Sequence, residues 1–137
     1  MKSNLEILDV GEVHVKRPQL LITGGNGLVG SQLKSELKID SKIDLRNRKI
    51  CDDFFNKNKP LNVIHCAAKV GGLGGNMNLK GEFFYDNIMI NTNVIESCRK
   101  HGVKKLVCFL STCVFPDNVE YPLTEKKICR ASRSVAR

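Results

Sequence analysis

The sequence predicts an α/β fold built on a doubly wound parallel sheet. Three observations carry this: short apolar runs ending on small or polar residues, helix-period segments alternating with them, and a glycine-rich turn directly after the first run. Repeated strand–helix alternation makes the strands parallel, because each helical crossover returns the chain to the same end of the sheet. At 137 residues the chain suits a single core.

Gln19–Thr23 is an apolar run stopped by Gly24-Gly25, as a buried parallel strand would be. Leu28, Val29, Leu33 and Leu37 then recur at helical spacing. A weaker strand is expected over Lys38–Ile43, followed by a helix over Asn47–Asn58 whose Ile50, Phe54 and Phe55 share a face. Pro60 ends that helix, and Leu61–Cys66 reads as the third strand. A long helix is expected over Gly81–His101, with Phe84, Ile88, Ile95 and Cys98 turned inward and Gly102 as its stop. Lys105–Leu110 is nearly all apolar after its first residue and predicts a strand covered on both faces. The segments are residues 1–18 as an N-terminal extension, with Leu8–Val15 as a hairpin or loose tail, 19–125 as the domain, and 126–137 as a basic C-terminal tail.

Composition narrows the function classes. Hydrophobic residues make up 42% and charged residues 26%, which suits a soluble globular domain rather than a disordered one. No apolar run approaches the roughly 20 residues of a membrane span, and Met1-Lys2-Ser3-Asn4 is too polar for a signal peptide, so no membrane partner and a cytoplasmic location are expected. The six cysteines include no C-x-x-C pair; most read as reduced core thiols, Cys108 among them, and no metal site is expected. The net charge of +8 is spread along the chain without an aromatic platform, so the expectation is no nucleic-acid partner and a basic surface that attracts nucleotide phosphates.

Thr23-Gly24-Gly25-Asn26-Gly27-Leu28-Val29-Gly30 sets glycines three apart between a strand and a helix-period segment. In a pyrophosphate-binding loop Gly24 makes the tight turn, Gly27 lets the backbone approach the phosphates, and Gly30 lets helix and strand pack closely. A plain glycine turn fits this motif alone equally well. Two segments weigh toward binding: Ala67 and Ala68 stand where the third strand ends, and Ser111-Thr112-Cys113 stands at the end of the fourth, the edge where open parallel sheets bind ligands. The expected fold is therefore a Rossmann-type doubly wound parallel sheet, truncated, with strand order 3-2-1-4. His65 and His101 read as structural imidazoles, and Asn87, Asn91 and Asn93 as ties from the long helix to neighbouring loops.

Through T-G-G-x-G-L-V-G, H-x-A-A-x-V-G-G, S-T-C-x-F-P-D and the Asn87-Ile88 to Asn93-Val94 stretch, residues Gln19 to about Glu125 resemble the extended short-chain dehydrogenase/reductases, the NAD-dependent epimerase/dehydratase family, and within it the GDP-L-fucose synthases. The resemblance implies an NADP-dependent oxidoreductase that epimerises GDP-4-dehydro-6-deoxy-D-mannose at two carbons and reduces its ketone, with a GDP-sugar as substrate and a homodimer as assembly. It also implies roles for residues. The Gly24–Gly30 loop holds the cofactor pyrophosphate, Asp44-Leu45 borders the adenine, and Ala67 and Ala68 flank the adenosine. Ser111 hydrogen-bonds the substrate carbonyl, and Cys113 moves protons at the epimerised carbons.

The sequence departs from that pattern in two places. The family's Tyr-x-x-x-Lys pair is absent: Tyr85 is followed four residues later by Met89, and Tyr121 by Glu125. On this ground the chain by itself is expected to be inactive, as a fragment of such an enzyme or as a non-catalytic nucleotide-binding module. The stretch between Gly30 and Asp44 is also short for a helix, a turn and a strand, so the second strand is expected to be cut down. There Asp40 would favour NAD through a ribose hydroxyl, whereas Ser41, Lys42, Arg46 or Arg48 would receive the 2′-phosphate of NADP.

Overall fold

The computed structural model describes residues 17–111, 114–115 and 119–130. Four strands, β1 (Leu20–Thr23), β2 (Leu37–Ile39), β3 (Asn62–His65) and β4 (Lys105–Cys108), form one parallel sheet in the order β2-β1-β3-β4. Three α-helices, α1 (Arg48–Asn58), α2 (Gly72–Asn78) and α3 (Lys80–Lys100), and a terminal 3-10 helix over Glu125–Arg130 complete it. The expected N-terminal hairpin and residues 131–137 of the basic tail lie outside the described residues.

The doubly wound character holds, but the strand order 3-2-1-4 does not. The chain steps from β1 to β2 on one side, and α1 then carries it back across β1 to pair Leu21 with Val63 on the other. Pairing beside β1 sets buried Val63 level with Leu21 and brings His65 to Thr23, contacts that a place beyond β2 would not give. β3 therefore takes the place beside β1 that the sequence reading gave to the fourth strand.

Register explains the core. Leu37, Leu21, Val63 and Leu106 form one row across the sheet and face α1 and α3, where Cys51, Phe55, Ile90, Val94 and Cys98 close over them. Asn47 starts α1 by accepting from the Lys49 and Ile50 amides at 3.0 and 3.1 Å, and Lys59 ends it in the left-handed region before buried Pro60. The helical periods were legible, and Phe54, Phe55 and Cys98 turn inward as expected, but the other expected inward residues do not. Ile50 is 42% exposed, while Phe84, Ile88 and Ile95 point to solvent. The inward side of α3 is instead Phe83, Asp86, Ile90, Asn93, Val94, Ser97 and Cys98. Hydrophobicity alone misplaces such a stripe because several of its members are polar groups with partners.

Two further expectations change. Residues 24–36 make turns rather than a helix, and Leu28 is 89% exposed. After Gly30 the chain has fewer than two helical turns left before β2, and it must also reverse direction there. β4 is the edge strand and packs on the core through Leu106, so Val107, Cys108, Phe109 and Leu110 are exposed rather than covered on both faces. Cys51 and Cys98 are the buried core thiols, Cys66 is half-buried, and Cys108 is corrected to a surface position. Among the described residues no helix is long and apolar enough to cross a membrane.

The corrected phase is testable by urea unfolding. Phe55→Ala should cost about 3–5 kcal/mol, as fully buried aromatics do. Ile95→Ala, on the outer side of α3, should cost well under about 1 kcal/mol, since alanine also favours helix. Comparable losses would show that the inward faces are wrongly assigned.

Candidate functional site

The chain reverses its direction of winding at β1, so a crevice opens beyond the carboxyl ends of β1 and β3. Gly24 follows β1 with φ of +69°, and a Cβ on it would lie 2.7 Å from the Ala67 amide nitrogen. Only glycine lets these two loops touch. A Cβ on Gly30 would lie 2.2 Å from the Gly24 carbonyl oxygen, so Gly30 packs the turn behind the loop. Gly27 is less confined but still close: its Cβ would meet Gly24 O at 3.2 Å, tighter than ordinary contact.

The cleft has a volume of about 500 Å³, within the range of small-ligand sites. Of the residues expected to bind, Gly24, Asn26, Gly27, Asp44, Leu45, Ala67 and Ala68 line it. Gly25, Leu28, Val29 and Gly30 do not: the Gly25 amide is spent on Ile39 O at 2.8 Å, and Leu28 and Val29 face solvent. Ser111 lies just past β4, exposed and outside the lining, and Cys113 lies outside the described residues. Cys66 and Lys69 also line the cleft, and neither carries a motif signal that would have marked it.

Side chains from the sheet and α3 hold these walls in place. Asn91 Oδ1 is 2.9 Å from His65 Nε2, and His65 Nδ1 is 2.6 Å from Thr23 Oγ1. An amide oxygen can only accept, so the partners assign the proton to Nε2, and Nδ1 accepts from the threonine hydroxyl. Thr23 Oγ1 in turn accepts from the Ala67 amide at 3.3 Å. His65 is therefore a buried, fully bonded neutral imidazole, and burial pushes its pKa down against the opposing pull of the Asn91 bond. Asn87 grips the Lys69 peptide from both sides, accepting from its N–H at 2.7 Å and donating to its carbonyl at 2.9 Å. Asn93 donates to the carbonyls of Leu45 and Arg46, both at 2.9 Å.

Charge completes the rim. Arg46 donates to both carboxylate oxygens of Asp44, at 2.9 and 3.0 Å, which holds the Asp44 carboxyl below its ordinary range. Asp86 is also held low, chiefly by Lys69 and further by Arg46. Asp40 accepts from the Asn26 amide and the Lys42 N–H, both at 2.9 Å. Among the described residues no group of three or more His, Cys, Asp or Glu could hold a metal ion. The arrangement suits an elongated ligand with phosphates, whose backbone-rich seat is the Gly24–Gly27 turn and whose flat end can lie against Leu45 and Ile43.

Two measurements check this geometry. Gly30→Ala should destabilise the fold by about 1–3 kcal/mol because its methyl meets backbone. Gly74→Ala, in α2 with nothing within 4 Å of the added carbon, should be neutral or stabilising by up to about 1 kcal/mol. The second concerns pH. The folded His65 pKa lies below its unfolded value near 6.5, so the unfolded chain takes up a proton that the fold refuses. Stability should fall as pH drops through about 6.5 and level off below the folded value. His65→Gln should flatten that slope, and an unchanged slope in this variant would refute the assignment.

A family model for the NAD dependent epimerase/dehydratase family matches residues 20–133. GDP-L-fucose synthase from Dictyostelium discoideum is 44% identical over 121 residues, covering 80% of this chain and 38% of the relative. GDP-L-fucose synthase 1 from Arabidopsis thaliana is 34% identical over 134 residues, covering 90% of the chain and 42% of the relative. Among solved structures, a GDP-L-fucose synthetase from Naegleria fowleri bound to NADP superposes with a TM-score of 0.66 at 45% identity, covering 80% of this chain and 39% of that one. The chain thus spans about two-fifths of the length of the relatives it matches. With that match over most of its length, and a glycine turn seated at the winding reversal of a parallel sheet, this chain belongs to the NAD dependent epimerase/dehydratase family.

Proposed function

We propose that the chain is the cofactor-binding part of an NADP(H)-dependent epimerase and reductase of the GDP-L-fucose synthase type, acting in the cytoplasm on a GDP-4-keto-6-deoxy sugar. The observation that carries this is the cleft at the β1/β3 crevice, walled by Gly24, Gly27, Ala67 and Ala68, which bear little or no side chain. These residues fit a dinucleotide, because a pyrophosphate needs close backbone approach and an adenosine needs a flat, unobstructed wall.

In this reading the Gly24–Gly30 turn seats the pyrophosphate through Gly24, Asn26 and Gly27, and Gly30 keeps the turn tight. Asp44 and Leu45 border the adenine, and Ala67 and Ala68 flank the adenosine. NADP is favoured over NAD by the relative solved with it. When bound, the nicotinamide would supply the hydride that reduces the substrate ketone. The proton for the resulting alkoxide would have to come from a donor such as the family's Tyr-x-x-x-Lys pair, which this chain does not contain. Ser111 donates a hydrogen bond to the ketone oxygen, which strengthens as negative charge builds there. Cys113 takes and returns protons at the carbons beside the ketone, which are acidified by that carbonyl. The homodimer expected for the family remains part of this proposal, with the exposed Phe84, Ile88 and Ile95 stripe of α3 available to a second copy.

Calorimetric titration of the chain with NADPH and NADH is the direct test: NADPH should bind at least about tenfold more tightly, a difference of about 1.4 kcal/mol. Its advantage should shrink as salt screens the phosphate contacts. Equal affinity would refute the cofactor assignment. For chemistry, the chain is joined to the remaining segment of the Dictyostelium relative and supplied with the GDP-4-keto sugar. Ser111→Ala should slow NADPH oxidation by about 10²–10³. Cys113→Ser should chiefly block solvent deuterium uptake by the substrate. A fully active Cys113→Ser protein would refute its proton-transfer role, and cofactor binding without any turnover would leave a nucleotide-binding module as the function.

A further inference from the structure

Two loops wall the cleft, Asp44–Arg46 after β2 and Ala67–Val70 after β3. α3 holds each of them by backbone and by charge. The backbone bonds go to separate residues, Asn93 for the first loop and Asn87 for the second. The charges do not. Arg46 Nη1 and Lys69 Nζ both donate to Asp86 Oδ2, at 3.2 and 2.7 Å. The Asp86 side chain is only 7% exposed, whereas those of Arg46 and Lys69 are 47% and 32% exposed. Arg46 and Lys69 line the cleft and Asp86 does not. One carboxylate behind the wall therefore joins two cations that stand in it.

We infer that Asp86 is a positioning residue for the nucleotide, fixing the separation of the two loops and with it the width of the cleft that receives the adenosine end. The inference rests on the dinucleotide reading above. Without the carboxylate, Arg46 keeps Asp44 of its own loop and Lys69 keeps Glu82 of α3, so each cation retains a partner but not a shared one. What disappears is the single anion to which both are drawn, so no charge then fixes one loop against the other. A cleft held at its binding width loses less freedom when ligand enters, so the effect should fall on affinity. A merely structural Asp86 would lower stability without touching affinity in the folded protein.

The experiment is an NADPH titration of the whole chain followed by amide chemical shifts, with hydrogen exchange read at residues 44–46 and 67–69. Asp86→Asn should weaken binding about five- to tenfold, up to about 1.4 kcal/mol. It should also speed exchange in both loops together. Asp86→Glu should recover part of both effects. Val94→Ala, which removes core contact at a fully buried position away from either loop's ion pairs, should lower stability and leave the dissociation constant unchanged. Arg46→Gln and Lys69→Gln should each weaken binding in the wild-type background and add little in the Asp86→Asn background. If Asp86→Asn binds NADPH like wild type, or if Val94→Ala loses as much affinity, Asp86 is not a positioning residue. Should the wild-type chain bind neither NADPH nor NADH at millimolar concentration, the dinucleotide reading itself falls and takes this inference with it.

Discussion

The polar inward face of α3 is the constraint on which the rest depends. Asn93 is buried where a helix packed on a sheet would ordinarily carry an apolar side chain, half-buried Asn87 and exposed Asn91 stand at the margin of that face, and each of the three answers a group in the sheet or its loops. Loops beyond strand ends carry peptide groups that no ladder satisfies, and leaving such groups buried and unpaired costs about 1–3 kcal/mol apiece. α3 supplies their partners. No buried side-chain nitrogen or oxygen among the described residues is left without one. The consequence is a cleft whose walls are set by side-chain hydrogen bonds from a rigid element rather than by the loops' own preferences.

Glycine works at the opposite wall by absence. Gly24 lets the β1 loop touch the β3 loop at Ala67, and Gly30 lets the following turn fold onto Gly24. The Thr23–His65–Asn91 chain then crosses beneath that contact and ends on the Ala67 amide. Turn, strand end and helix are thereby tied at one point, the point where the sheet reverses its winding. This arrangement survives the shortened β1–β2 connection, which has no helix, because none of its tying atoms comes from residues 31–36.

Electrostatics is concentrated at the rim. The +8 chain brings Arg46 and Lys69 to the cleft, yet both are matched by Asp44, Glu82 and Asp86. Exposed pairs of this kind contribute little to stability individually. Their geometry is directional, since they join the two loops that wall the cleft to each other and to α3. Burial raises the pKa of half-buried Cys66, which disfavours the thiolate within the cleft.

Local sequence determined the alternation of strands and helices, the glycine turn and the seating of Ala67 and Ala68 at a strand end, because backbone freedom at glycine and the 3.6-residue period are properties of short segments. It also showed that the stretch before Asp44 was short, and β2 is indeed three residues long. What it could not set was which side of β1 receives β3, since a right-handed crossover can reach either side and only long-range pairing with β1 chooses between them. Nor could it set the phase of α3: Phe84 and Phe83 are equally apolar, and only packing against the Gly71 and Gly75 backbone selects Phe83. The exposure of Cys108 and Leu110 follows from an edge position that no apolar run reveals. The meeting of Arg46 and Lys69 on Asp86 joins residues 40 and 17 positions apart, and such a pairing exists only once the tertiary fold has brought three separate elements to one oxygen.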